Sequence, residues 1–154
     1  MVLNLSDGSS PELGLDRDQT YGDQIGFLDV QLSPDKTELG WLETFDVCPQ
    51  PNPCAMELNL WRSGKVVFQF QAPVGMIWGW QFSPDGHEIY VQTGYPDHDP
   101  VGVYHRIILA SGREAETYDP SGEDEPQQSS PDASGTAPAP PKPDWVTQFK
   151  DPTQ

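Results

Sequence analysis

The stretch QFSPDGHEIYVQT, residues 81–93, decides the fold. An apolar run, Ile77–Phe82, ends at a Ser-Pro-Asp-Gly turn, and an alternating run, Glu88–Thr93, follows it. Proline in the second position of a tight turn fixes φ near −65°, and Asp and Gly complete the turn. Short runs rich in β-branched and aromatic residues on both sides of such a turn predict an antiparallel hairpin.

The same pattern occurs earlier, in QLSPDKTELGWLETF, residues 31–45. The Ser-Pro-Asp turns at Ser33 and Ser83 are 50 residues apart, and two Ser-Gly-basic turns, at Ser63 and Ser111, are 48 apart. Each copy therefore reads as four strands, which are Ile25–Leu32, Leu39–Phe45, Met56–Arg62 and Val66–Gln71, then Ile77–Phe82, Glu88–Thr93, Val103–Leu109 and Ala115–Tyr118. This internal repeat predicts one supersecondary unit used twice.

We therefore expect an all-β fold of two four-stranded antiparallel sheets that resemble propeller blades. The sheets fill residues 25–119, with repeat 1 at about 25–72 and repeat 2 at about 77–119. Residues 1–24 are polar, with short candidate strands at Val2–Leu5 and Glu12–Leu15 that would shield the edge of the first sheet.

The C-terminal part has a different composition. Residues 120–143 are rich in Ser, Pro, Asp, Glu and Ala, which predicts a disordered acidic linker. A short amphipathic segment, 144–150, follows it. Trp145 and Phe149 would share one face of a helical turn, so we expect this segment either to dock on the body or to bind a partner.

The stretch at residues 81–93 resembles the WD40-like repeats of bacterial β-propellers, including the periplasmic propeller of the Tol system. That resemblance covers about residues 25–119. More broadly, LSPDKTELGWLETFDVCPQPNPC (32–54), LNLWRSGKV (58–66) and KPDWVTQF (142–149) are similar to a group of small exported bacterial proteins of unknown function. Neither resemblance supplies catalytic residues.

Propellers close with about four to eight blades, whereas this chain supplies two. The exposed faces of the sheets would be covered by packing of the two sheets on each other, by the chain ends, or by assembly of several chains. We expect a monomer with two packed sheets, and a homo-oligomer is the alternative.

The charge restricts the class of partner. The net charge is −16, of which −11 lies on residues 1–118. Because nucleic-acid affinity depends on Lys and Arg neutralising phosphates, DNA and RNA are excluded as expected partners, and a protein or peptide partner remains. No run approaches the roughly 18 apolar residues that would span a bilayer, so no membrane insertion is expected.

Two cysteines bear on the compartment. Cys48 and Cys54 flank Pro-Gln-Pro-Asn-Pro, and this loop supplies no third or fourth ligand for a structural zinc site. A disulfide would fit an exported protein; free thiols and a metal or redox role are the alternatives. The N-terminus lacks a signal peptide, which fits either a cytoplasmic protein or a mature exported form whose leader has been removed. Because of the expected disulfide we expect the periplasmic or secreted form, and a cytoplasmic protein stays open.

The sequence carries few candidates for chemistry. Asp97, His98 and Asp99 form an oxygen-rich loop that could bind a metal ion, although Asp is also an ordinary turn residue. His105 lies in a predicted strand, where a structural role is expected. No nucleophile elbow or phosphate loop is present, so no catalytic residue and no cofactor are expected.

The tryptophans are the remaining candidates. Trp78 and Trp80 are two residues apart and would share one strand face, either in the core with Trp41 and Trp61 or as an exposed binding platform. With Trp145 and Phe149 they are the candidate binding residues. We expect a non-catalytic protein-binding or scaffolding protein of the bacterial cell envelope. The alternatives are a structural subunit that completes a propeller by oligomerisation and a metal-dependent hydrolase centred on the Asp97-His98-Asp99 loop.

Overall fold

The protein has an all-β fold with one short helix, as the strand-rich sequence predicts. The computed structural model describes residues 17–18, 22–46, 54–73, 75–95, 102–121 and 141–149. The elements are the strands β1 Arg17–Asp18, β2 Gly22–Leu32, β3 Leu39–Phe45, β4 Cys54–Arg62, β5 Lys65–Gln71, β6 Met76–Phe82, β7 Glu88–Gly94, β8 Val103–Ile108 and β9 Arg113–Tyr118, and the helix α1 Asp144–Thr147. All eight strands expected from the repeat are confirmed.

The strands form two antiparallel sheets whose order follows the chain. The first sheet has the order β1-β2-β3-β4-β5, and the second has the order β6-β7-β8-β9. Each repeat is thus a meander of four strands. The two residues of β1 pair with Gly22 and Asp23 at the edge of the first sheet. The candidate strands Val2–Leu5 and Glu12–Leu15 lie outside the described residues.

The two sheets face each other across one shared apolar core. Leu58, Leu60, Ile89 and Val91 have no exposed surface. The core consists of Leu42, Ala55, Leu58, Leu60 and Ala72 from the first repeat and Ile77, Trp80, Phe82, Ile89, Val91 and Ile107 from the second. Because burying one such side chain contributes about 1.5–3 kcal/mol, this core holds the two repeats together.

Trp80 of β6 packs closely against the first sheet. Its ring lies on Gly40 of β3, where a Cβ atom would come within 2.1 Å of Cη2 of the indole. The same ring meets Phe82 edge to face, with centroids 5.1 Å apart. Glycine at position 40 therefore leaves the space that the indole fills.

The two Ser-Pro-Asp turns share a set of hydrogen bonds. The hydroxyl groups of Ser33 and Ser83 donate to Oδ1 of Asp35 and Asp85, both at 2.7 Å. Each hydroxyl oxygen also accepts from the amide five residues later, at 2.9 Å. Hydrogen bonds from the serine and from the backbone two residues on lower the pKa of both aspartates. Both aspartates therefore stabilise the turns in their ionised form.

The turns differ at the fourth position, where Lys36 has φ +62° and Gly86 has φ +73°. A side chain is strained in this left-handed region, whereas glycine is not. We expect Lys36→Gly to raise the free energy of unfolding by about 0.5–1 kcal/mol and Gly86→Lys to lower it by a similar amount. Urea unfolding of both variants checks this, and a loss of stability in Lys36→Gly would contradict it.

Strand β4 is buried on both faces, which the alternation of its side chains does not predict. Opposite the core face, Glu57 and Asn59 are 6% and 1% exposed. The carboxylate of Glu57 accepts from the amides of Asn59, Gln69 and Gln71 at 2.9–3.0 Å. Trp41 and Trp61 are buried on this outer face as well, at 2% and 8% exposure. The polar residues of β4 are therefore part of the interior, where hydrogen bonds satisfy the Glu57 carboxylate and engage the amide N–H of Asn59, while Oδ1 of Asn59 has no partner among the described residues.

Candidate binding groove

A groove of about 560 Å³ lies between β2 and β6, beside the two Ser-Pro-Asp turns. Ligand pockets in proteins typically measure about 300–1,000 Å³. The residues that line it are Asp29, Gln31, Leu32, Pro34, Gly79, Trp80, Gln81, Phe82, Ser83, Pro84 and Gln148. We call this feature the inter-repeat groove. Asp29 is the one charged residue among those that line it.

The strand that forms one wall exposes a row of apolar side chains. Their exposed fractions are 49%, 51%, 49% and 57% for Ile25, Leu28, Val30 and Leu32. Strand β2 shifts register against β3 between Leu28 and Gln31, and Asp29 has φ +47°. A bulge of this kind redirects side chains. Leu28 pairs with Leu42 and Leu32 pairs with Leu39, so the two leucines lie on opposite faces of the strand, and Leu32 is the one of the four that lines the groove.

Two hydrogen bonds join β2 to β6 without forming a strand ladder. The indole N–H of Trp80 donates to the carbonyl of Asp29 at 3.0 Å. The amide of Gln31 donates to the carbonyl of Trp80 at 2.8 Å and to the carboxylate of Asp29 at 2.9 Å. These bonds fix the separation of the two strands and hold the groove open between them.

The expectation that Trp78 and Trp80 share one strand face is wrong. The register of β6 against β7 shifts between Ile77 and Gly79, so Trp78 is the extra residue of a bulge. Trp80 is 3% exposed and lies in the core, whereas the half-buried Trp78 packs against the backbone of Gly94. The structure therefore has no exposed platform that contains both rings.

The C-terminal segment docks on the outer face of the second sheet, one of the two possibilities that its sequence left open. Trp145 is 7% exposed and packs on Tyr90, with ring centroids 5.4 Å apart. Phe149 meets Tyr104 edge to face at 5.6 Å. Burial, together with the nearby charge of Glu88, raises the pKa of Tyr90.

His105 lies at the centre of a hydroxyl–imidazole–carboxylate series. Its Nε2 is 2.9 Å from Oγ1 of Thr93, and its Nδ1 is 2.6 Å from Oε1 of Glu114. Partial burial opposes ionisation of Glu114, but hydrogen bonds from His105 and Thr117 outweigh it and lower the pKa of that carboxyl. Thr93 has no exposed surface and His105 only 5%. The hydroxyl is therefore out of reach of a substrate, and the series stabilises the second sheet.

The other predicted sites lie wholly or partly outside the described residues. Cys54 begins β4 and is 4% exposed, while Cys48 lies outside the described residues, so their pairing stays a prediction. Asp97, His98 and Asp99 also lie outside the described residues. Within the described ranges, no group of three or more His, Cys, Asp or Glu side chains is placed to hold a metal ion.

Comparison with known protein families gave no match. Comparison with curated protein sequences gave none either. No helix in the described part of the chain is long and apolar enough to cross a membrane.

Proposed function

We propose that this is a non-catalytic protein-binding or scaffolding protein of the bacterial cell envelope, and that it binds an extended peptide segment of its partner along β2. The observation that supports the proposal is the exposed apolar row on this strand beside the inter-repeat groove. Leu32 is 57% exposed and lines the groove, where an apolar side chain of a partner can pack on it. A partner strand can add to an exposed sheet edge through backbone hydrogen bonds. Within the described residues, β2 has a neighbour on its outer side only at Gly22 and Asp23.

The electrostatics favour a basic segment. The chain carries a net charge of −16, and Asp29 places a carboxylate among the groove residues. A partner with Lys or Arg between its apolar residues would be steered to this surface and would then bury the apolar row. The two blade-like sheets would act as the rigid support for this edge.

A defined peptide tests the proposal. The probe is a fluorescein-labelled peptide of three Lys-Val repeats, and the measurement is fluorescence anisotropy with the full chain. We expect Leu32→Asp to weaken binding about tenfold or more, because a buried leucine contributes about 1.5–3 kcal/mol. The matched control is Val66→Asp, since Val66 of β5 is 41% exposed and does not line the groove.

The sign of the effect separates binding in the groove from non-specific attraction. Both variants add one negative charge, so a purely electrostatic association of the cationic peptide would become tighter in both. Weaker binding in Leu32→Asp with unchanged or tighter binding in Val66→Asp supports the groove. Equal affinities in the two variants would rule the groove out as the binding surface.

A second candidate function rests on the same exposed row. A second copy of the chain could cover Ile25, Leu28, Val30 and Leu32, and the protein would then be a structural subunit that completes a propeller by oligomerisation. Light scattering would show a discrete oligomer that Leu32→Asp dissociates. The hydrolase hypothesis rests on Asp97, His98 and Asp99 alone and gains no support from the described residues.

We further propose that Cys48 and Cys54 form a disulfide in an oxidising compartment, as an exported protein would. Closing a loop of this length contributes about 2 kcal/mol in the chain-entropy model. The protein purified from the periplasm should show no reactive thiol and should lose stability on reduction. Since these are the two cysteines of the chain, intact-mass measurement before and after alkylation decides the matter. Two alkylated cysteines without prior reduction would contradict the pairing.

A further inference from the structure

The outer face of the second sheet forms an aromatic seat for the C-terminal segment. The seat consists of Tyr90, Tyr104 and Tyr118, and the segment inserts Trp145, Val146 and Phe149. Trp145 and Val146 are 7% and 1% exposed, and Tyr90 and Tyr118 are 5% and 9% exposed. The amide of Gln81 adds a hydrogen bond to the carbonyl of Gln148, at 3.0 Å. The contact is therefore a small interface with a buried apolar centre and a polar margin.

The segment depends on this seat for its shape. Helix α1 has four residues, and its N-cap residue Pro143 makes no side-chain capping bond. An isolated helix of this length is not stable in water, because nucleating the first turn is unfavourable. The folded form of residues 141–149 is consequently a product of binding to the sheet, as in a peptide ligand that folds on its receptor.

The seated segment also carries an unsatisfied polar group. The indole N–H of Trp145 is buried and has no hydrogen-bond acceptor within the structure described. A buried donor without an acceptor loses the hydrogen bond that it makes to water when the segment is free. This loss weakens the contact relative to a fully satisfied interface, which favours a segment that can leave the seat.

The chain can carry the segment away from its own seat. Nineteen residues, 122–140, separate Ser121 from Pro141. A stretch of that length reaches at most about 65 Å when fully extended. The same seat on a second copy is thus within reach, and a segment exchanged between copies makes the contacts that it makes within one chain.

We propose that the aromatic seat is a peptide-binding site for a short helical segment with Trp and Phe four residues apart, and that residues 141–149 of a second copy can occupy it. The seat uses no residue of β2, although Gln81 and Gln148 at its margin also line the inter-repeat groove. Within one chain the segment is covalently connected to the seat, which gives it an effective concentration on the order of 1 mM. Occupation by a second copy therefore requires high protein concentration or release of the resident segment.

A labelled peptide tests the seat directly. The probe is a fluorescein-labelled peptide of residues 141–150, and the receiver is the full chain with Trp145→Ala and Phe149→Ala, which empties the seat. We expect saturable binding to the receiver and binding about tenfold or more weaker to the wild type, where the resident segment competes. The control is the same peptide with Trp145→Ala, which should not bind. No binding to a receiver that retains wild-type circular dichroism and cooperative unfolding would overturn the proposal.

A second measurement keeps the test decisive if the receiver does not fold. The mass of the wild-type chain, followed by light scattering towards millimolar concentration, should rise from that of a monomer towards that of a dimer. We expect Thr147→Ala to keep this rise, since Thr147 is exposed on α1, and Trp145→Ala to abolish it. A constant mass, or a rise that Leu32→Asp abolishes and Trp145→Ala does not, would refute exchange through the seat.

Discussion

Replacing Trp80 with alanine should lower the free energy of unfolding by about 3–5 kcal/mol, the range measured for large aromatic side chains removed from protein cores. Trp80 is 3% exposed, packs against Phe82 and Gly40, and donates to the carbonyl of Asp29. Its removal leaves a cavity between the two sheets and breaks the link from β6 to β2. The matched control is Trp78→Ala, on the same strand but half buried at the bulge. It should lower the free energy of unfolding by clearly less.

The contact with Gly40 allows a double-mutant cycle. Gly40→Ala alone should cost about 1–3 kcal/mol, because a Cβ atom 2.1 Å from the indole forces the ring to move. In a Trp80→Leu background the same substitution should cost less, since the ring is gone and only Cδ2 of Leu60, 2.6 Å from the Cβ position, still has to move. Urea or thermal unfolding of the four proteins gives the coupling energy. Additive effects of the two substitutions would show that the ring does not depend on the glycine.

Glu57→Ala is expected to lower the free energy of unfolding by about 3 kcal/mol. The carboxylate is 6% exposed and accepts from the side-chain amides of Asn59, Gln69 and Gln71. Hydrogen bonds to a charged group contribute about 1.5–3 kcal/mol each, and donors left buried without an acceptor add a desolvation cost. Removing the carboxylate therefore weakens β4 and its pairing with β5 at once.

Glu57→Gln is the matched variant for this prediction. Glutamine keeps the size of the side chain and one acceptor oxygen, so it should retain part of the network and lose less than half as much stability as Glu57→Ala. Chemical unfolding measured by tryptophan fluorescence distinguishes the two variants. Equal losses would mean that packing, and not the hydrogen bonds, accounts for the role of Glu57.

Local sequence was sufficient to predict the eight strands. Each strand is short, and the Ser-Pro-Asp and Ser-Gly turns end it at a fixed position, because proline and glycine restrict or permit particular backbone angles. The repeated order of these turns then predicted the four strands of each repeat, whereas β1, which makes the first sheet five-stranded, was not predicted. β2 begins three residues earlier than predicted, since Gly22 and Asp23 pair with β1 and Gln24 pairs with β3. β4 begins two residues earlier, since Cys54 and Ala55 pair with β3.

The groove could not be predicted in the same way. It depends on the bulges at Trp78 and around Asp29, where the register between neighbouring strands shifts. Alternation along one strand assumes a period of two, and a bulge breaks that period only in relation to its partner strand. For this reason the sequence did not predict that Leu28, Val30 and Leu32 are exposed. Their alternating pattern is typical of a strand that faces the core.

Each wall of the inter-repeat groove comes from one repeat, so residues on the two walls can be matched by the repeat offset of 50 residues. Gln31, Leu32 and Pro34 on one wall correspond to Gln81, Phe82 and Pro84 on the other. The two repeats therefore place residues of the same kind on opposite walls, but the walls are not equivalent, because Leu32 is 57% exposed and Phe82 is 9% exposed. The walls differ further where Asp29 corresponds to Gly79, so in the proposed complex this carboxylate would select the direction of a basic peptide.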